Sequence, residues 1–147
     1  MWLKGVVMCV HFNGLIPKKT FAQFHISPNV TEREFLTEDE LKTLMTHEFG
    51  DAKLSYIRDI FVFASFTALS FVDIKELTNS NIVEVNGEKW ILSKRYKTKV
   101  PFQVKLLDTP LQIIERYRPC QEDNLIFPNL NYWSICKSLK KGMKECG

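Results

Sequence analysis

The sequence predicts an α+β fold, mainly helical with one small three-stranded antiparallel sheet, and three features carry that expectation. Apolar residues recur at three- and four-residue spacing on both sides of residues 81–106, as amphipathic helices require. Within 81–106 the spacing changes to alternation, and Asn86-Gly87 interrupts it with the residue pair suited to a type I′ hairpin turn. Helix punctuation stands where the helical stretches begin, most clearly at Thr37 with Glu40 three positions on, a capping box.

Taken in order, residues 1–13 read as a helix with Trp2, Val6, Cys9 and Val10 near one stripe, stopped by Asn13-Gly14. Residues 14–35 hold two prolines and little periodicity, so they read as a connector. Its large apolar groups, Phe21, Phe24, Ile26 and Phe35, suggest that it is docked on something. From Thr37 a helix buries Leu41, Leu44 and Met45 and ends near Phe49-Gly50, with acidic residues in its first turn to suit the helix dipole. A long helix from about Lys53 to Leu69 is apolar on most sides, the mark of a core centre. Phe71 to Leu77 reads as a short helix packed through Phe71, Ile74 and Leu77. Strands follow at Asn81–Val85, Lys89–Leu92 and Pro101–Leu106, the last with Phe102, Val104 and Leu106 on one face. Helical spacing returns at Leu111, Ile113, Ile114 and Tyr117, capped by Asp108 or Thr109, with Pro110 at the first helical position and Pro119 as the stop. Asn131 to Cys146 is an amphipathic helix with Trp133, Ile135, Leu139 and Met143 expected inside and Lys137, Lys140, Lys141 and Lys144 outside.

The 147 residues suit one domain, or one with an appendage, and 25% charged residues argue against disorder. No apolar run approaches the roughly 18–20 residues of a membrane span, and no secretory signal opens the chain, so neither membrane insertion nor export is expected. Cys9, Cys120, Cys136 and Cys146 form no CxxC pair and read as reduced thiols of a cytoplasmic protein. His25 and His47 have no partner at ligand spacing, so neither a metal site nor a cofactor is expected. The net charge of +3 is unevenly placed: residues 91–147 carry 11 basic and 5 acidic side chains, while the rest is net acidic. That asymmetry points to a face for a polyanion, with double-stranded DNA the first candidate and a solvated lysine-rich surface the plain alternative.

Several words in this order resemble the tyrosine recombinases, the phage-integrase family. Phe35-Leu36-Thr37-Glu38-Asp39-Glu40-Leu41 resembles the opening of their catalytic domain. The stretch Phe66 to Leu77 resembles their first catalytic box, TGLRxxEL, with Ala68 in place of the glycine and Ser70 in place of the arginine. Tyr96-Lys97-Thr98-Lys99-Val100-Pro101 resembles their β2–β3 hairpin, and Leu125-Ile126-Phe127-Pro128 the segment ahead of a following helix. The likeness covers about residues 36–147 and is nearest to integrases of bacterial mobile elements. It implies a division into 1–35, the end of a core-binding domain with its connector, and 36–147, the N-terminal part of the catalytic domain.

The resemblance implies DNA integration and recombination, in which a tyrosine oxygen attacks a phosphodiester and expels a 5′-oxygen. Lys97 is then the candidate to protonate the leaving oxygen, with Lys94 or Lys99 able to share that assignment. Ser70 is either a hydrogen-bond donor near the phosphate or a helix cap. Lys94, Arg95 and Lys99 on the hairpin, and Lys137, Lys140, Lys141 and Lys144 on the last helix, are the candidate DNA contacts. Asp73 reads as structural, pairing within the fold or with an absent arginine. No HxxR word occurs: His11, His25 and His47 are followed at the third position by Gly14, Pro28 and Gly50. The chain alone is therefore expected to bind DNA without transferring strands. A second expectation, of another class, is an inert remnant that self-associates or binds a full-length recombinase through a core left uncovered at Ile60, Phe61 and Phe63.

Overall fold

The computed structural model describes residues 2–16, 35–118 and 124–146. The chain divides into two compact units, Met1–Phe35 and Leu36–Gly147. The first contains helix α1 (Trp2–Phe12), closed by Gly14 in the left-handed region. Of its expected stripe, Val10 is half-buried, whereas Val6 and Cys9 are exposed. A single helix has no second apolar face in its own unit to pack on among the described residues. Most of the expected connector lies outside the described residues. Phe35, one member of its apolar set, is 86% exposed. The neighbouring Leu36, next to the cap, is the half-buried one.

The second unit is a mixed helix-and-sheet structure with one three-stranded antiparallel sheet. Helix α2 (Glu38–Thr46) begins at the Thr37–Glu40 capping box and buries Leu44. It ends at His47, short of Phe49-Gly50. Helix α3 (Ala52–Thr67) is the spine: Leu54, Ile57, Ile60, Val62 and Phe63 are all buried along it. Helix α4 (Phe71–Lys75) and a short 3-10 turn (Asn79–Asn81) lead into β1 (Ile82–Val85), β2 (Glu88–Lys94) and β3 (Pro101–Lys105), in spatial order β1-β2-β3. Asn86 and Gly87 both have positive φ, the type I′ requirement, and Val85 faces Glu88 across the turn. Ile82, Ile91 and Val104 align across the three strands and turn one face of the sheet to the core.

Helices α5 (Asp108–Tyr117) and α6 (Tyr132–Glu145) both pack on α3. The α5 start differs from the expectation. Leu107 is the N-cap without a side-chain bond, and Pro110 is the third helical residue. Pro110 is accommodated because the first turn has no intrahelical use for its missing N–H. Between α5 and α6, Ile126 donates its N–H to the Leu77 carbonyl, and the Phe127 ring meets Phe63 edge-on at 5.0 Å. With this segment in place, Ile60 and Phe63 are buried and Phe61 half-buried. The expected uncovered core at these residues is therefore absent.

Two burial expectations for α6 are corrected. Trp133 is 81% exposed and Met143 is 38% exposed. The inward stripe is instead Ile135, Leu139 and Gly142, and Phe49 lies 3.3 Å from where a Gly142 side chain would start. At about 100° per residue, Trp133 falls on the opposite side of the helix from that stripe.

Asp59 is the most deeply buried charged residue of the unit, 4% exposed. Its carboxylate accepts hydrogen bonds from Arg58 Nε at 2.8 Å, Arg116 Nη1 at 2.7 Å and Tyr117 Oη at 2.7 Å. Burial, and then the Asp59 hydrogen bond, push the Tyr117 phenol above its ordinary value. This cluster fastens α5 to α3.

Ala68, the C-cap of α3, has φ 53°, a left-handed conformation that favours glycine. That conformation costs an L-residue about 1–2 kcal/mol. The added chain entropy of glycine offsets about 0.4–1 kcal/mol of the relief. Ala68→Gly is therefore expected to stabilise the fold by about 0.5–1 kcal/mol, read as a raised urea midpoint at constant m. A lowered midpoint contradicts strain at this cap.

Candidate nucleic-acid interface

Lys94, Arg95, Lys97 and Lys99 are gathered where β2 turns into β3, while Lys89 and Lys105, at the other end of these strands, pair with Glu115 and Glu88. The loop 95–100 is closed by Arg95 N–H to the Val100 carbonyl and by Lys99 N–H to the Arg95 carbonyl, each 2.8 Å. Lys99 takes a positive φ of 58° to bring the chain back. Lys94, Tyr96, Lys97, Thr98 and Lys99 are all exposed, and Lys97 stands at the apex. The Lys99 amine lies 4.5 Å from the centre of the Tyr96 ring, a cation–π contact that braces this side of the loop.

The loop does not hang free. Ser70, the N-cap of α4, forms a capping box with Asp73 and donates its hydroxyl to Asp73 Oδ2 at 2.7 Å. The same oxygen receives Arg95 Nη1 at 2.8 Å, and Oδ1 receives the Tyr96 N–H at 2.9 Å. Arg95 also donates through both terminal nitrogens to the Ala68 carbonyl at 3.3 Å, satisfying the C-terminus of α3. Its guanidinium carbon lies 4.8 Å over the Phe102 ring. Arg95 thus fastens the hairpin to the α3–α4 corner. Burial pushes the Asp73 carboxyl up, but the Tyr96 N–H, the Arg95 guanidinium and the Ser70 hydrogen bonds outweigh it and hold the group at about 2.

The structure therefore brings Ser70, Arg95 and the Tyr96 amide together on Asp73, and Lys97 follows Tyr96 on the loop. Ser70 acts as a helix cap, and Arg95 faces inward to its partners with its side chain 35% exposed. Lys94, Lys97 and Lys99 are exposed and make no ion pair among the described residues, with the Lys99 amine resting against the Tyr96 ring. The α6 lysines form a second group. Lys137, Lys140, Lys141 and Lys144 are exposed, and of these Lys141 alone has a carboxylate near, Glu145 at 3.8 Å among the described residues. The two groups are linked at the start of α6, where the Tyr132 ring meets Phe71 of α4 at 5.4 Å.

Sequence reading missed the Arg95–Asp73 tie, because 22 residues separate the partners and no local spacing marks them. It also missed the exposed aromatic pair at Tyr132 and Trp133. The Ser70-to-Asp73 spacing was a readable signal for the box that organises the corner.

Among the described residues, no group of three or more His, Cys, Asp or Glu side chains is arranged to hold a metal ion, and no helix is long and apolar enough to cross a membrane. Cys9, Cys136 and Cys146 are free thiols. The chain matches no protein-family model, no curated protein and no solved structure.

Proposed function

We propose that residues 36–147 are the N-terminal part of a tyrosine-recombinase catalytic domain, which binds duplex DNA for integration or recombination of a mobile element. One observation carries this reading. Lys97 stands exposed at the apex of a hairpin whose base is clamped to the helical body through Asp73. An amine so placed reaches a groove without moving a helix. The clamp lowers the entropy lost when it settles on a phosphate. Lys94 and Lys99 flank it as further phosphate contacts, and Arg95 holds the ribbon at its angle.

In the reaction the family performs, a tyrosine oxygen forms a bond to phosphorus as the bond from phosphorus to the 5′-oxygen breaks. Lys97 would supply the proton that the departing oxygen takes up. Ser70 would keep the corner shaped beside it. This sequence contains no HxxR word, and the role proposed for the chain by itself is DNA binding without strand transfer.

The test is titration of a labelled duplex with the whole chain over a range of salt. Each phosphate contact contributes about −0.9 to the slope of log affinity against log salt. Lys97→Ala is expected to weaken binding and to reduce that slope by about one contact. Affinity that does not respond to salt, or a Lys97→Ala protein with an unchanged slope, overturns the reading. A covalent adduct between this chain and DNA would overturn the assignment of binding alone.

A further inference from the structure

The outward face of α6 combines an exposed indole with a row of lysines. Trp133, Lys137, Lys140 and Lys144 fall within about 60° around the helix and span about 16 Å along it. That length matches the axial rise of roughly five nucleotides of one strand. At the head of the stripe the Trp133 indole is 81% exposed. It is not loose. Tyr132 meets it edge-on at 6.2 Å, and Phe71 in turn supports Tyr132 at 5.4 Å. The three rings adjoin one another at the head of the stripe, and a row of exposed amines follows along the helix.

A second copy of this chain is a poor occupant. A symmetric contact through this face would set lysines against lysines, because the one carboxylate of α6, Glu145, lies beside the stripe and is paired with Lys141. A polyanion that also carries flat π-faces fits both features, and nucleic acid is that chemistry. In uniform duplex the base faces are already stacked, so the ring has no partner there. In an unpaired stretch they are free.

We infer that Trp133 is a stacking platform for an unpaired base, with Lys137, Lys140 and Lys144 following the backbone of the same strand. The protein would then favour DNA containing single-stranded or bulged segments over continuous duplex. The inference rests on the DNA-binding reading above for its partner class, but on different residues from those of the hairpin.

The experiment uses the whole chain and three labelled probes: an oligothymidylate, a continuous duplex, and the same duplex with a central unpaired bulge. Trp133→Ala is expected to weaken binding to the oligothymidylate and the bulged duplex by about 5- to 100-fold and to leave the continuous duplex within about twofold. Trp133→Phe should keep most of the affinity and remove the Trp133 share of the fluorescence quenching expected when single-stranded DNA binds the parent protein. Because the side chain is exposed, both variants should melt as the parent does. Equal affinity of parent and Trp133→Ala for all three probes overturns the inference. So does an equal loss on all three, or a loss of self-association without any change in DNA binding. Failure of the hairpin reading gives a different pattern: Lys97→Ala leaves duplex binding intact while the Trp133 effects persist.

Discussion

Asp59→Ala is expected to destabilise the second unit by about 3–5 kcal/mol, the range for removing one partner from a buried ionic cluster. The effect comes less from lost attraction than from the groups left behind. The Arg58 side chain is 11% exposed and would keep its charge without its carboxylate. The Tyr117 hydroxyl would lose its acceptor inside a packed interface. Arg116, with its side chain 56% exposed, can turn to water and adds little. Asp59→Asn should cost less, because an amide oxygen in the Oδ2 position still accepts from Arg116 and Tyr117. Urea unfolding checks both, with a lower midpoint and unchanged m for each. A loss below about 1 kcal/mol for the alanine variant would mean that the cluster does not fasten α5 to α3.

Asp73→Ala is expected to cost about 2–4 kcal/mol and to loosen the hairpin as well. One carboxylate serves the α4 capping box, the Arg95 guanidinium and the Tyr96 N–H, so its removal releases all three together. The Arg95 side chain remains 35% exposed and can hydrate, which keeps the cost below that at Asp59. The local consequence is faster hydrogen exchange at the Tyr96 amide. Under the DNA-binding function proposed above, duplex binding weakens as well, because the loop carrying Lys97 is no longer held. Acid should reproduce part of this in the parent protein. The folded carboxyl is held at about 2, below its ordinary 3.8. Its contribution is then complete above about pH 4 and is lost as pH falls through 2, a total of about 2 kcal/mol. Asp73→Asn should remove that acid-side slope. A variant that keeps the parent's slope, or a Tyr96 amide that exchanges no faster, would remove Asp73 from the clamp.

Local signals placed most elements to within a few residues. The Thr37–Glu40 box, the Asn86-Gly87 turn and the alternation at Phe102, Val104 and Leu106 each depend on neighbours in sequence, so each was readable in one dimension. The departures share one cause. Trp133 is a large apolar residue, and apolarity alone assigns it inward. Its direction is set by the rotation of α6, which Ile135, Leu139 and Gly142 fix against α3 and Phe49. Pro110 was placed two positions early because Leu107, an apolar residue with no capping side chain, serves as N-cap. Ile60 and Phe63 were expected to be uncovered. They are buried because the segment holding Ile126 and Phe127 folds back across α3 and seals the core.

The amino-acid order by itself determined the helical and strand segments, the hairpin turn and the concentration of basic charge in the last 57 residues. These follow from hydrogen bonding and apolar periodicity over a few residues. Only the tertiary structure decided that Arg95 turns inward to Asp73 while Lys97 remains outward, and that Trp133 leads the lysines of α6 at the surface. The physical reason is that a long-range ion pair and the packing of one helix on another fix directions that no local preference of the chain specifies.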